Sequence, residues 1–192
     1  MLAVDGSDLC IAHNPSEAEN YFHSTENVKG FNLLHLNAMY DLCSRVYVDS
    51  IVQLGRNENE FKALTEMVDR SDIKEQTIVI ADRGYESYNV FEHINKKGWN
   101  YVIRVKDIGS NGITSGLSLP NKETFDIEYS TLLTRRQTNE VKAHPEKYKF
   151  MSSTKNFDYL PVGDKEIYPI NFRVVRFAIS ENTYEVIITN LT

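Results

Sequence analysis

The chain has 192 residues, enough for one domain with a substantial core, and its 41% hydrophobic and 25% charged content is ordinary for a globular protein. No apolar run reaches the roughly 20 residues of a membrane helix, and the first ten residues lack the basic and apolar regions of a secretory signal. Two cysteines, Cys10 and Cys43, are too few for a disulfide framework, so a reduced, cytoplasmic protein with no membrane partner is expected. The net charge of −6 argues against a generally basic nucleic-acid binder, although clustered metal-binding carboxylates count as negative until cations arrive. The stretch from Leu132 to Lys155 is locally basic (Arg135, Arg136, Lys142, Lys147, Lys149 and Lys155) and reads on charge alone as a solvated surface.

In chain order, Leu2-Ala3-Val4-Asp5 predicts a short strand running into Gly6-Ser7-Asp8. Phe31 to Tyr40 predicts a second strand, Asp41 to Arg45 a turn, and the β-branched, aromatic run Val46 to Val52 a third. Their short connections favour an antiparallel meander. The period then changes. Asn57 and Glu60 resemble a capping box, and Phe61, Leu64, Met67 and Val68 mark the apolar stripe of a three-turn helix. Thr77 to Ala81 is continuously apolar, as in a strand buried on both faces. Ser87 caps a second helix with Val90, Phe91 and Ile94 facing inward, and Lys96, Lys97 and Gly98 end it. Trp99 is expected in the core, and Tyr101 to Val105 forms the next strand.

The order β-β-β-α-β-α-β predicts an α/β fold, a mixed sheet with helices packed on it, which is the order of the ribonuclease H-like fold. Residues 1–106 form that core. Residues 107–192 read as a β-rich insertion, with a loop over Gly109 to Gly116 and strands near Phe125 to Tyr129, Arg135 to Val141 and Ile167 to Ile188. Ser180-Glu181-Asn182 marks a hairpin.

Two acids stand out by position. Asp5 ends the first predicted strand and Asp82 the fourth, and in this order the two strands lie side by side in parallel. Both carboxylates then project at one sheet edge, where α/β folds build sites. Carboxylates held that close repel unless divalent cations sit between them, and hard oxygen donors suit Mg²⁺. Two such ions support phosphoryl transfer to water or to a sugar hydroxyl. The plain alternative is that Asp5-Gly6 and Asp82-Arg83-Gly84 are only turn residues. Arg83 either touches a phosphate or makes a surface ion pair. Tyr85 either stacks on an extruded base or covers the sheet end. Arg104 and Lys106 are placed to contact a DNA backbone, and Asp8 suits a turn. Cys10 and His13 have metal-ligand spacing, but no second tight pair accompanies them. Gly109 to Gly116 lacks the Lys of a phosphate-binding loop, and Ser7 lacks a nucleophile elbow.

Asp82-Arg83-Gly84-Tyr85 after an apolar strand resembles the second-aspartate region of DDE transposases of bacterial insertion sequences, in the group named after insertion sequence four. Asp5-Gly6-Ser7 resembles the first-aspartate region, Tyr101 to Lys106 the following strand, and Phe172 to Leu191 the end of the family's β-strand insertion. The resemblance spans nearly the whole chain. It implies a ribonuclease H-like core, Mg²⁺ or Mn²⁺ in a two-metal site with Asp5 and Asp82 as catalytic metal ligands, and endonucleolytic cleavage and strand transfer during DNA recombination. The partners implied are transposon-end and target DNA, with a homodimer when full-length. The family's third ligand is a Glu in a Tyr, Arg, Glu, Lys pattern on a later helix. That pattern is absent here, and Glu181 and Glu185 in the final hairpin are poor substitutes. The chain is therefore expected to be inactive alone. A ribonuclease H-like nuclease without strand transfer, or a non-catalytic DNA-binding module, are the competing readings.

Overall fold

The computed structural model describes residues 1–23 and 28–192. The first strand, β1 (Leu2–Ile11), is longer than expected. It runs straight through Gly6-Ser7-Asp8 because β3 (Phe31–Asp41) offers a partner at every position: Gly6 pairs with Asn37, and Asp8 with His35. Asp5 therefore lies inside a strand, which corrects both its expected place at a strand end and the turn reading. A two-residue strand, β2 (Tyr21–Phe22), pairs with the start of β3. The expected turn after Asp41, with Arg45 in the left-handed region at φ 60°, leads into β4 (Val46–Leu54), which completes the antiparallel meander.

Helix α1 (Glu60–Arg70) starts two residues later than a cap at Asn57 would place it. Gly55–Asn57 forms a single 3-10 turn, and Asn59 is the cap, its side chain accepting from the Lys62 amide. Leu64, Met67 and Val68 are fully buried, but Phe61 is 41% exposed. Side chains lean toward the helix N-terminus, so this first-turn ring overhangs the packed face instead of joining it.

Strand β5 (Ile78–Ala81), helix α2 (Tyr88–Lys96) and strand β6 (Asn100–Val105) follow the expected pattern. Ser87 accepts from the Asn89 amide at the start of α2, and Gly98 (φ 77°) turns the chain out of it. Lys97 works across the helix pair instead of on its own terminus. Its Nζ donates to the carbonyls of Asp69 (2.9 Å) and Ser71 (2.6 Å) at the end of α1. Phe91 stacks on Tyr101 at 5.0 Å, and Trp99 is buried as expected. Each such large apolar side chain contributes about 1.5–3 kcal/mol through burial.

The second half begins with β7 (Phe125–Thr134). Arg135 to Val141, expected as a strand, instead leads into a short helix, α3 (Asn139–Ala143). The Thr138 hydroxyl accepts from the Val141 amide, and this local cap outweighs the weak β preference of the segment. Strands β8 (Tyr148–Phe150), β9 (Ile167–Ser180) and β10 (Thr183–Thr189) complete the fold, with Asn182 at φ 57° in the β9–β10 hairpin.

The ten strands among the described residues belong to one mixed sheet, ordered β2-β3-β1-β5-β6-β10-β9-β7-β8, with β4 on β3. Strands β1, β5 and β6 are mutually parallel, and β10 joins β6 antiparallel, so residues 107–192 continue the same sheet. Helices α1 and α2 pack on one face, over Val4, Val79, Tyr101, Ile103, Val186 and Ile188. On the opposite face Ala3, Ile78, Ile80, Val102 and Ile187 are only half-buried. No helix among the described residues is long and apolar enough to cross a membrane.

Candidate active site

Val4 pairs with Ala81, and Ala81 with Ile103, across three parallel strands. The next residues along are Asp5, Asp82 and Arg104, so two carboxylates and a guanidinium follow one another across the sheet at strand spacing, about 4.8 Å per step. Asp5 is exposed, and its oxygen accepts from the Gly6 amide at 3.0 Å. Asp82 caps the 3-10 turn Arg83–Tyr85, its Oδ1 accepting from the Gly84 amide at 2.8 Å. The Asp82-Arg83-Gly84 turn reading thus holds locally, and it leaves the other carboxylate oxygen free of protein donors.

Tyr85 is 1% exposed, so its ring cannot stack on a base. This corrects its expected place among the DNA-contacting residues: the turn tucks the ring under the sheet end, against the helices. Its hydroxyl is buried without a partner. Burial raises its pKa, and the negative charges of Glu60, Asp5 and Asp82 raise it further, so all three acids bear on this one hydroxyl.

Arg83 and Arg104 both turn to Glu185 on β10. Arg83 donates to both carboxylate oxygens at 3.0 Å, and Arg104 donates through Nε at 2.5 Å and through Nη2. The Arg104 guanidinium, joined by Arg83, holds the Glu185 carboxyl below its usual range despite partial burial. Lys106 is exposed, and its Nζ lies 3.4 Å from the Asn111 carbonyl. Arg135, from the basic stretch, is structural: it donates to the carbonyls of Leu160, Ser152 and Lys155.

Glu60 is expected from the sequence only as the second member of a capping box, not as a site residue. It stands in the first turn of α1 and reaches back over β1. A side chain at Gly6 would overlap Glu60 Oε1 and meet His35 Nε2 at 2.6 Å, and one at Gly84 would meet Glu60 Oε2 at 2.9 Å and Asp82 Oδ1 at 3.0 Å. Two glycines therefore make room for this carboxylate, which lies between His35 and Asp82. Cys10 and Cys43 are both exposed and free. Among the described residues, the one group of three metal-capable side chains whose donor atoms lie within 4.8 Å of one another is Asp8, His35 and Glu58.

A mixed α/β sheet with one aspartate in a strand and another just beyond the end of its parallel neighbour is the class of domain these features define. The chain belongs to the transposase DDE domain family, whose model matches residues 1–174. No curated protein sequence matches it. Among solved structures it is similar to the piggyBac transposase in a cryo-EM synaptic complex with hairpin DNA, with a TM-score of 0.51 and 10% identity over 99% of this chain. At that identity the likeness speaks for the fold alone, and this chain spans 33% of the piggyBac chain.

Proposed function

We propose that this chain supplies the ribonuclease H-like metal-binding core of a DNA transposase of the insertion sequence four group, with Asp5 and Asp82 as ligands for Mg²⁺ or Mn²⁺. The observation that supports this reading is the parallel pairing of Val4 with Ala81, whose next residues are Asp5 in β1 and Asp82 just after β5. Both are exposed carboxylates, each with one oxygen that no donor among the described residues reaches, the hard and hydrated ligands that Mg²⁺ prefers. The buried Tyr85 hydroxyl, without a hydrogen-bond partner among the described residues, feels the negative charges of Glu60, Asp5 and Asp82, which a cation would offset. When bound, a pair of such ions supplies water activation and leaving-group stabilisation for phosphodiester cleavage and strand transfer.

The protein's own part is to hold Asp5 within β1 and Asp82 at the cap that follows β5, and to present cationic side chains beside them. Arg83, Arg104 and Lys106 are proposed as DNA backbone contacts, the first two in exchange for Glu185. Residues 1–106 form the catalytic core and 107–192 the β-rich addition. The nearby glutamate on the open face, Glu185, is committed to two arginines and is no substitute for a third ligand. We therefore expect the 192-residue chain to bind metal but to cut DNA feebly or not at all, and the active form to be a cytoplasmic homodimer acting on transposon ends and target.

The test is a Mg²⁺ titration followed by amide NMR. The expected result is saturable shifts at Asp5, Gly6, Arg83 and Gly84, abolished by Asp5→Asn or Asp82→Asn. Shifts that survive both substitutions, or that never occur at these amides, overturn the metal assignment. Plasmid nicking without strand joining would instead favour a plain nuclease.

A further inference from the structure

His35 lies in the middle of β3, directly across from Asp8 on β1, with its ring under the N-terminus of α1. Its side chain is 9% exposed, whereas those of Asp8 and Glu58 are 55% and 52% exposed. Nδ1 stands 2.8 Å from Asp8 Oδ1 and 3.4 Å from Glu58 Oε2. Nε2 is buried with no hydrogen-bond partner among the described residues, and the Glu60 Oε1 atom faces it at 3.3 Å. Asp5 is three residues from Asp8, so strand alternation puts the two on opposite faces of β1.

A neutral ring cannot satisfy this surrounding. With its proton on Nδ1, the Nε2 lone pair points at a carboxylate. With its proton on Nε2, the Nδ1 lone pair points at two carboxylates. A protonated ring carries one positive charge among three carboxylates, two of them sharing one nitrogen. A divalent cation at Nδ1 resolves each conflict. Ligand atoms around a cation with bonds of about 2.1 Å are separated by about 3 Å, which matches the two nitrogen–oxygen spacings here. Nδ1 is then the unprotonated ligand, the proton sits on Nε2, and Glu60 accepts from it, the carboxylate–imidazole–metal arrangement that orients ligating histidines. The exposed side chains of Asp8 and Glu58 leave water access for the remaining positions.

We propose that Asp8, His35 and Glu58 form a divalent transition-metal site, separate from the Asp5–Asp82 pair, with Glu60 as the positioning residue behind the histidine. A nitrogen donor with two carboxylates favours Zn²⁺, Co²⁺ or Mn²⁺ over Mg²⁺. The ion would tie β1, β3 and the 55–59 turn together and fix Glu60 against Gly84, beside Asp82. The inference does not depend on the transposase mechanism.

The test is titration of the metal-free 192-residue chain with Co²⁺, followed by visible d–d absorption, with Zn²⁺ as competitor. One equivalent should bind and be displaced by Zn²⁺, with excess Mg²⁺ leaving it in place. His35→Asn and Asp8→Asn should each weaken binding more than about 10-fold, and Glu60→Gln about 10-fold. Asp5→Asn should leave it unchanged, which separates this outcome from failure of the Mg²⁺ assignment. Should His35→Asn fail to fold, Asp8→Asn and Glu58→Gln alter exposed side chains and decide the matter. No Co²⁺ binding by the wild type, or equal binding by folded Asp8→Asn and Glu58→Gln variants, overturns the site and leaves the cluster as an imidazolium ion pair.

Discussion

Glu60 Oε1 and His35 Nε2 stand 3.3 Å apart above Gly6, joining the start of α1 to the middle of β3 across a position that carries no side chain. A Cβ at Gly6 would overlap the Glu60 carboxylate and lie 2.6 Å from His35 Nε2. The glutamate end can swing aside, but the buried ring is held by its neighbours on the sheet. Gly6→Ala should therefore cost about 1–3 kcal/mol, the usual range for overpacking. Urea denaturation would show it as a lower midpoint at unchanged slope. A variant as stable as the wild type would mean that the ring moves freely.

Glu185 governs whether Arg83 and Arg104 are available to DNA. Replacing it by Gln removes the charge that holds both guanidiniums, each of which is already 41–49% exposed. Glu185→Gln should tighten binding to non-specific duplex DNA several-fold at low salt. It should also steepen the log–log salt dependence by about 1–2, one phosphate contact per freed arginine. Fluorescence anisotropy across a salt series measures both. An unchanged slope would assign the two arginines a purely structural role.

Stability should depend on pH through His93. Its Nδ1 lies 2.9 Å from Asp69 Oδ1 on α1, and its Nε2 lies 2.9 Å from Asp158 Oδ2. Burial pushes its pKa down, but the hydrogen bonds and charges of Asp69 and Asp158 outweigh this and leave it above the ordinary 6.5. A raised folded-state pKa means that the stabilisation is fully present below the unfolded value and disappears as pH rises through the folded value. Unfolding free energy should therefore fall as the solution is taken from mildly acidic to mildly alkaline. The comparison is with His93→Gln, whose pH slope should be shallower. Asp158 works on the other side: its lowered pKa gives stability that is lost as acid protonates it. Equal slopes for wild type and His93→Gln would remove His93 from the account.

Where structure was set locally, the sequence was readable. Ser87, Val90, Phe91 and Ile94 announce α2 by cap and period, and Ser180-Glu181-Asn182 announces the last hairpin. Where tertiary pairing decides, it was not. Gly6-Ser7-Asp8 looks like a turn, yet β1 continues because β3 pairs with it throughout. Thr138 caps a helix inside a segment with strand-like composition. Asp5 and Asp82 stood out because each follows an apolar strand. His35 and Glu58 did not, and Glu60 was read only as part of a capping box, because their meeting depends on the β1–β3 register and on α1 starting at Glu60. The one available signal was a lone histidine inside a predicted strand, too common to carry an argument.

Arg135 gives the clearest separation of charge from geometry. Its Nε donates to the Leu160 carbonyl at 2.9 Å, and its Nη1 donates to those of Ser152 (2.5 Å) and Lys155 (2.9 Å). One planar fork thus closes the 151–160 loop against β7, beside the fully buried Phe157 and Leu160. Arg135→Ala leaves those carbonyls short of donors and should cost about 2–3 kcal/mol. Arg135→Lys restores the charge but not the fork, so it should recover less than half of that loss. Limited proteolysis between residues 152 and 160 should accelerate in both variants, with DNA affinity unchanged for the lysine form. Full recovery by lysine would show that the charge alone holds the loop and that the basic stretch acts as a field, not as a set of hydrogen bonds.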